Sequence, residues 1–528
     1  MKNLIKIHIL LGVAFVATML SSCDNDSLDE ININPNDPEV VPTNTIFNSA
    51  TKEFMDFSRS SFNSGRLTLN WVEYWGQNSY ADEDRYLYRE TSAESIFQDS
   101  YRVATDLKSI LDFNTNEDTR ELAAAVGDNN NQIAASRIML SYLFHQLTNT
   151  FGDIPYYSYG SSDESFQALQ IDEVLSPVFT EQVKIYTDIL NELRQAADMI
   201  NESSPVFTSG DNIYNGDASK WKKFANSLIL RVAMNLMEVN PTTASNAIDA
   251  ALKDGVFTSN DDNALQRYET SDVNASPWWR AYIGRTDFAV AAPFIDLLKG
   301  NTGGFSLDPR LFEMAAPIYA SIESIQENSY ERSENPDDYF GVPFAYQNVN
   351  SLPFTAYSFP GSMVLRPDFS EVLMEYAEVV FIISEYKGFS QEEYEKGVRA
   401  SMEKWGVASS DIADFMTSLP AATEANVLNQ KYIALYMQAH QAWADYRRTG
   451  FPDVLMLPGD TYNLPSFQAD FAGESSYIFI AGVPIDDLPK RLRYPVSLQT
   501  LNGINRTEAV SKLSNGDSVE SPLFWDID

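Results

Sequence analysis

A mostly helical fold with little β-structure is what the sequence predicts, and three observations carry that reading. Apolar residues recur at steps of three and four in several long stretches, which places one apolar stripe on each of a series of helices. These stretches come in neighbouring pairs. Between them lie long segments rich in Pro, Gly, Asn and Tyr that read as irregular insertions.

In chain order, residues 1–22 are predicted to be a lipoprotein signal peptide. Lys2 and Lys6 supply a charged start, residues 9–20 an apolar run, and Leu20-Ser21-Ser22 small residues before a cut. The run is too short to span a bilayer, which needs about 20 apolar residues. Cys23 is the only cysteine among 528 residues and sits at the cut, so it is the expected lipidation site. At ~0.8 kcal/mol per buried methylene, two or three acyl chains hold a soluble body to a membrane. Residues 23–36, with Asp24, Asp26, Asp29 and Glu30 among Asn and Ser, form an acidic tether too poor in apolar residues to fold alone. Residues 37–528 are expected to be one domain.

Within it the helical stripes are Met139, Tyr142, Leu143 and Leu147; Tyr186, Ile189, Leu190 and Leu193; Trp221, Phe224, Leu228 and Val232; Leu373, Tyr376, Ala377, Val380 and Phe381; and Ile433, Tyr436, Met437 and Ala444. They pair as 137–149 with 181–200, 219–238 with 243–253, and 371–386 with 391–405. A helix, a turn and a second helix repeated in this way is a tetratricopeptide-like plan, here degenerate rather than a regular solenoid. Residues 65–90 and 260–369 are the main loops, and 451–489 is similar in character.

A formal charge of −37, more negative still once Lys2 and Lys6 leave, argues against nucleic acid and anionic lipid as partners of the body. Catalytic chemistry finds little support. His145 and His440 stand alone on amphipathic stripes, and no G-x-S-x-G elbow, phosphate-cradling glycine loop or zinc-spaced His/Cys cluster is present. Acid pairs such as Asp82/Asp84, Glu375/Glu378 and Asp486/Asp487 are expected by chance among 74 acids. No complete calcium loop occurs. The sequence therefore indicates no enzyme, no metal and no cofactor.

Binding signals are stronger. Trp71, Tyr74, Trp75, Gln77, Tyr80, Asp84, Arg85 and Tyr86, with Tyr88, pack aromatic rings beside amides and charges, and Trp278, Trp279, Arg280 and Tyr282 repeat that chemistry. Flat rings stack on the C–H faces of sugars while polar groups hydrogen-bond the hydroxyl rim. Core packing and ligand contact are equally good readings of Trp71 and Trp75. Tyr80, Tyr86 and the Trp278-Trp279 pair are expected to face solvent. Composition does not separate a glycan site from a peptide site.

The chain resembles the SusD/RagB-like outer-membrane lipoproteins of Bacteroidetes, in the branch with an Arg-Arg-Thr-Gly signature. The resemblance rests on Asn34-Pro35-Asn36; Ser141-Tyr142-Leu143-Phe144 through Phe151-Gly152-Asp153-Ile154-Pro155-Tyr156; and Trp221 through Arg231. It continues in Asp308-Pro309-Arg310, Tyr376-Ala377-Glu378, Gln430-Lys431-Tyr432, Trp443-Ala444-Asp445-Tyr446-Arg447-Arg448-Thr449-Gly450 and Arg491-Leu492-Arg493-Tyr494-Pro495. The resemblance implies a helical-pair scaffold with ligand-binding loops, lipid-anchored at Cys23 on the outer face of the outer membrane. It implies capture of an oligosaccharide as the lid of a SusC-like TonB-dependent barrel. Oligopeptide capture is the nearest alternative; a surface glycosidase and a purely structural protein are the others. The motif residues Asp445, Arg447 and Arg448 are expected to tie helices to neighbouring backbone rather than touch ligand.

Overall fold

A computed structural model describes residues 41–527; Cys23, the signal peptide and the tether lie outside the described residues. The chain enters α1 (Thr43–Ser58), whose buried face is Phe47, Ala50, Phe54 and Met55. It packs on α2 (Glu90–Thr115), which packs on α3 (Asn129–Phe151), and the sequence of neighbours continues through α4 (Gln182–Met199), α5 (Ala218–Met234) and α6 (Pro241–Asp254). Several helix starts have a local cause. The Asp128 carboxylate accepts from the Asn131 N–H to start α3, and Asp217 caps α5 in the same way. Pro241 stands in the first turn of α6 behind the Asn240 cap, where a missing N–H costs nothing. Almost all of α3 is buried, so it is the central rod of the scaffold.

A second group holds α7 (Tyr376–Tyr386), α8 (Gln391–Lys404), α9 (Ser409–Ser418) and α10 (Glu424–Ala434) around Phe381, Tyr394, Val398, Met402 and Phe415. α7 also packs on α5, and the joint is ionic: Arg231 on α5 meets Glu378 on α7 through two bonds of 2.6 Å, both side chains buried. α11 (Ala439–Thr449) follows and stops at Gly450, whose left-handed backbone (φ 69°) lets its N–H reach the Tyr446 carbonyl.

The helical pairs foreseen from periodicity are present, with two differences. Residues 371–374 are not the first turn of α7 but a strand, β4 (Glu371–Met374), paired antiparallel with β2 (Ala264–Gln266). Val372 and Leu373 fit both patterns, and a partner strand distant in sequence decided between them. The long α2 and the entry helix α1 escaped notice because Ser, Thr and Asp dilute their stripes. β1 (Trp75–Gln77) pairs antiparallel with β3 (Phe288–Val290), Trp75 opposite Val290 and Gln77 opposite Phe288. A third small hairpin joins β5 (Thr461–Asn463) to β6 (Ser476–Ile478).

The signature residues act as mortar. Arg447 Nη1 donates to the carbonyls of Asn149 at 2.8 Å and Lys490 at 2.7 Å, tying α11 to the end of α3 and to the C-terminal segment. Arg448 grips Glu385 with both ends of its guanidinium, and Asp445 pairs with Lys431 at 2.9 Å. Arg310 forks onto Asp308 and Arg491 onto the Phe151 carbonyl. Among the described residues no helix is long and apolar enough to cross a membrane.

Candidate functional site

The β1–β3 pair brings together the two aromatic stretches, more than two hundred positions apart in the chain. Beneath it the rings interlock: Trp75 meets Trp278 edge-on at 4.7 Å between centroids, and Tyr282 at 6.1 Å. The Trp75 indole N–H donates to the Tyr436 hydroxyl at 2.9 Å, and the Tyr282 hydroxyl donates to the Phe288 carbonyl at 2.9 Å. Tyr74 stacks on Tyr432 at 4.6 Å, and Trp71 meets Trp443 at 5.2 Å.

This placement corrects part of the expectation. Trp71, Tyr74, Trp75, Tyr86, Trp278 and Tyr282 are buried, as are Gln77 and Asp84; none offers a face to a ligand in this arrangement. Tyr86 packs on Phe479 at 5.4 Å instead of facing solvent. At about 25 cal/mol per Å² of apolar surface, rings of this size stabilise most when fully enclosed. The polar pair is structural too. The Asp84 carboxylate accepts from the Gln77 backbone N–H at 2.9 Å, while the Gln77 amide and Glu83 exchange bonds of 2.8 and 3.1 Å. Burial pushes the Asp84 carboxyl up to about 8, against the opposing effect of the N–H donors of Gln77 and Ala345.

Tyr80, Arg85, Trp279 and Arg280 do reach the surface. Arg85 Nε donates to the Ile480 carbonyl at 2.7 Å, and Arg280 folds back onto the Ala275 carbonyl. Around Tyr80 the sequence reading missed the decisive partners. Arg66 donates to the Tyr80 hydroxyl at 3.1 Å, and its guanidinium lies 5.4 Å from the Phe62 ring and 6.0 Å from the Tyr80 ring. Asp287 stands 3.9 Å from Arg66 and takes Arg285 at 2.9 Å. Asn78 donates its backbone N–H to the Asp287 carbonyl, fastening the Tyr80 loop to the β3 loop. Burial raises the Tyr80 hydroxyl, which therefore stays a protonated donor at neutral pH; the Arg66 charge works in the opposite direction.

Phe62 and Arg66 come from an eight-residue π-helical segment, Ser61–Thr68, capped by the Ser60 side chain. Single-turn π segments recur at functional sites. Gly65 permits this one: a Cβ there would stand 3.1 Å from the Phe288 ring and 3.5 Å from Trp278. The result is a ledge over a rigid aromatic floor, with two partly exposed rings, two guanidinium groups and a carboxylate. Phe62 and Arg66, four positions apart and just upstream of Trp71, are the signal a closer reading could have used. Elsewhere, a larger cleft of about 610 Å³ lies between Ser306–Glu313, Arg332–Glu334 and α9. Its rim carries Glu313, Glu334, Asp411 and Asp414, with Arg332 paired to Glu313 at 2.8 Å.

The sequence matches the family described as starch-binding and associating with the outer membrane over residues 35–465, and that of the SusD and RagB outer-membrane lipoproteins over residues 421–526. No curated protein matches the sequence significantly. Among solved structures, a SusD homologue from Parabacteroides distasonis superposes with a TM-score of 0.71 at 22% identity, covering 92% of this chain and 98% of its own. A chitin-binding SusD homologue from Flavobacterium johnsoniae does so at 0.67 and 21%, covering 92% and 99%. A structure described as a chitin-binding protein aligns at 0.68 and 23%, covering 91% and 100%.

Proposed function

From the chain's membership of the SusD-like family of outer-membrane starch-binding and RagB-type lipoproteins, we propose that it is a cell-surface glycan-binding lipoprotein. It captures an oligosaccharide for uptake, anchored by acylated Cys23, as the lid of a SusC-like TonB-dependent barrel. The observation that carries the glycan reading is the ledge. Tyr80 and Phe62 offer ring faces for sugar C–H surfaces, and Arg66, Arg285 and Asp287 offer donors and acceptors for hydroxyls, on the π-helical segment and on the loops beside the β1–β3 pair. Trp279 and Arg280, which reach the surface on the short helix Pro277–Ala281, are further candidates for contact. Chitin binding by two structural relatives points to oligosaccharides in preference to peptides.

In this mechanism capture requires no bond breaking. A ring-lined, pre-organised surface holds the ligand, and ordering costs little because the floor is already packed. Affinity isolation of the lipidated protein from outer membranes tests the transport role. A large TonB-dependent barrel is expected to co-purify in near-equal amount. Recovery of the protein alone, from membranes solubilised without loss of other barrel–lipoprotein pairs, would remove the lid role while leaving glycan binding to be judged separately.

A further inference from the structure

Deep in the scaffold, away from the ledge, the end of α1, the middle of α3, Arg231 of α5 and the start of α11 enclose a cavity of about 10 Å³. Arg59, Tyr142, His145, Gln146, Arg231, Gln438, His440 and Gln441 line it, and its size suits one small guest. Two of the lining side chains carry buried hydrogen-bond donors that have no protein acceptor: Nε of Arg59 and the Nε2 amide of Gln438, on residues 3% and 2% exposed. Neighbouring atoms of both side chains are bonded within the protein. Arg59 Nη2 donates to the Tyr142 hydroxyl at 3.3 Å and the Val372 carbonyl at 3.2 Å. The Gln438 carbonyl accepts from Arg231 at 3.4 Å, which leaves its NH2 free for the cavity.

The charge around the cavity is positive. No carboxylate lines it. Arg231 is neutralised by Glu378, but Arg59 has only a hydroxyl and a carbonyl, and nearby Arg447 donates to carbonyls alone. The acid nearest Arg59 in effect, Glu371, is kept protonated to about pH 8 by burial, against the pull of Arg59. The imidazoles feel the same field. Burial, and then Arg231, push His145 down to about 3, and burial with Arg447 and Arg59 pushes His440 well below its ordinary value. Asp526 near Arg447 is taken by Lys490 at 2.8 Å. A buried cation without a counter-ion is costly, and orphaned donors call for an acceptor.

We propose that this cavity is a binding site for a small monovalent anion of the halide class, held by Arg59 Nε–H and the Gln438 amide. The anion supplies the missing negative charge where α1, α3, α5 and α11 meet. Arg59 immediately precedes the Ser60 cap of the π-helical segment, so the guest also braces the root of the ledge.

The test uses the full chain in detergent, exchanged into sodium gluconate and titrated with sodium bromide at constant ionic strength. Binding to the native state alone raises Tm by mass action; a rise of a few degrees that grows with the logarithm of bromide concentration is expected. Crystals grown in bromide should show an anomalous peak between Arg59 Nε and Gln438 Nε2. Gln438→Leu, which removes the donor at similar volume, should abolish both signals. Arg59→Lys, which keeps the charge and loses Nε, should weaken them if the Gln438 variant does not fold. Equal Tm in gluconate and bromide, with no anomalous peak, would assign the cavity to water and overturn the proposal. So would a peak without a Tm response, which marks an adventitious ion only.

Discussion

Trp278 and Trp279 are adjacent in sequence, yet the structure gives them opposite roles, and substituting each alone separates the two. Trp278 is fully buried: its ring lies 4.7 Å from Trp75 and close against Gly65. Burying an indole removes roughly 200 Å² from water, worth about 5 kcal/mol at about 25 cal/mol per Å². Truncation of such a ring in a packed core costs about 3–5 kcal/mol, and the two routes agree. Trp278→Ala should therefore lower unfolding stability by about 4 kcal/mol. For a chain this long, with an unfolding entropy of roughly 1 kcal/mol per degree, Tm falls by about 4 °C. Trp279, partly exposed, should tolerate Ala at a cost of about 1 kcal/mol while glycan affinity falls several-fold. Equilibrium urea unfolding and calorimetric glycan titration read the two effects. A stable Trp278→Ala that has lost glycan binding would refute the placement of that ring in the floor.

Tyr80→Ala removes both a stacking face and the acceptor for Arg66, and should weaken glycan binding about 5–10-fold, equivalent to about 1 kcal/mol or slightly more; circular dichroism and Tm should stay unchanged. Glu378→Gln leaves Arg231 buried without its counter-charge and should destabilise by about 3–5 kcal/mol in urea unfolding. Stability should fall as pH rises from about 6.5 to about 8. Asp84 and Glu371 hold their protons in the native state up to about 8, whereas in the unfolded chain they release them near pH 4, so through these two groups the native state binds more protons; below about 6.5 the buried imidazoles of His145 and His440, neutral in the native state, offset them. Glu371→Gln should flatten the slope by up to about 1.4 kcal/mol per pH unit, measured as urea midpoints across the pH range; an unchanged slope would show that Glu371 ionises in the native state.

Local periodicity made the scaffold legible. Tyr186, Ile189 and Leu193, or Trp221, Phe224 and Leu228, point one way only on a helix, and the structure buries all of them. It failed where the deciding contact was distant. Val372 and Leu373 became a strand because Ala264–Gln266 lies alongside. The candidate site shows the same limit more sharply. The aromatic stretches were visible, but not that Trp75 and Trp278 would seal each other from solvent and leave Tyr80 and Trp279 outside. A ring-rich segment is apolar enough to be core and polar enough to be site, and only the partner across the β1–β3 pair decides which. Asp287 carried no local signal, and Arg66 only its place four residues after Phe62. Each is one charge among many, and their meaning arises when a π-helical turn and a strand loop meet at Tyr80.

The central claim is that the protein holds an oligosaccharide without cleaving it. Calorimetric titration of the purified protein with soluble oligomers from chitin and starch, and with peptides of matched length, followed by analysis of the recovered ligand, tests it directly. Saturable heat with at least one glycan series, none with peptides, and glycan recovered at its original length is the predicted result. Binding of peptides alone, or recovery of shortened glycan, would contradict it.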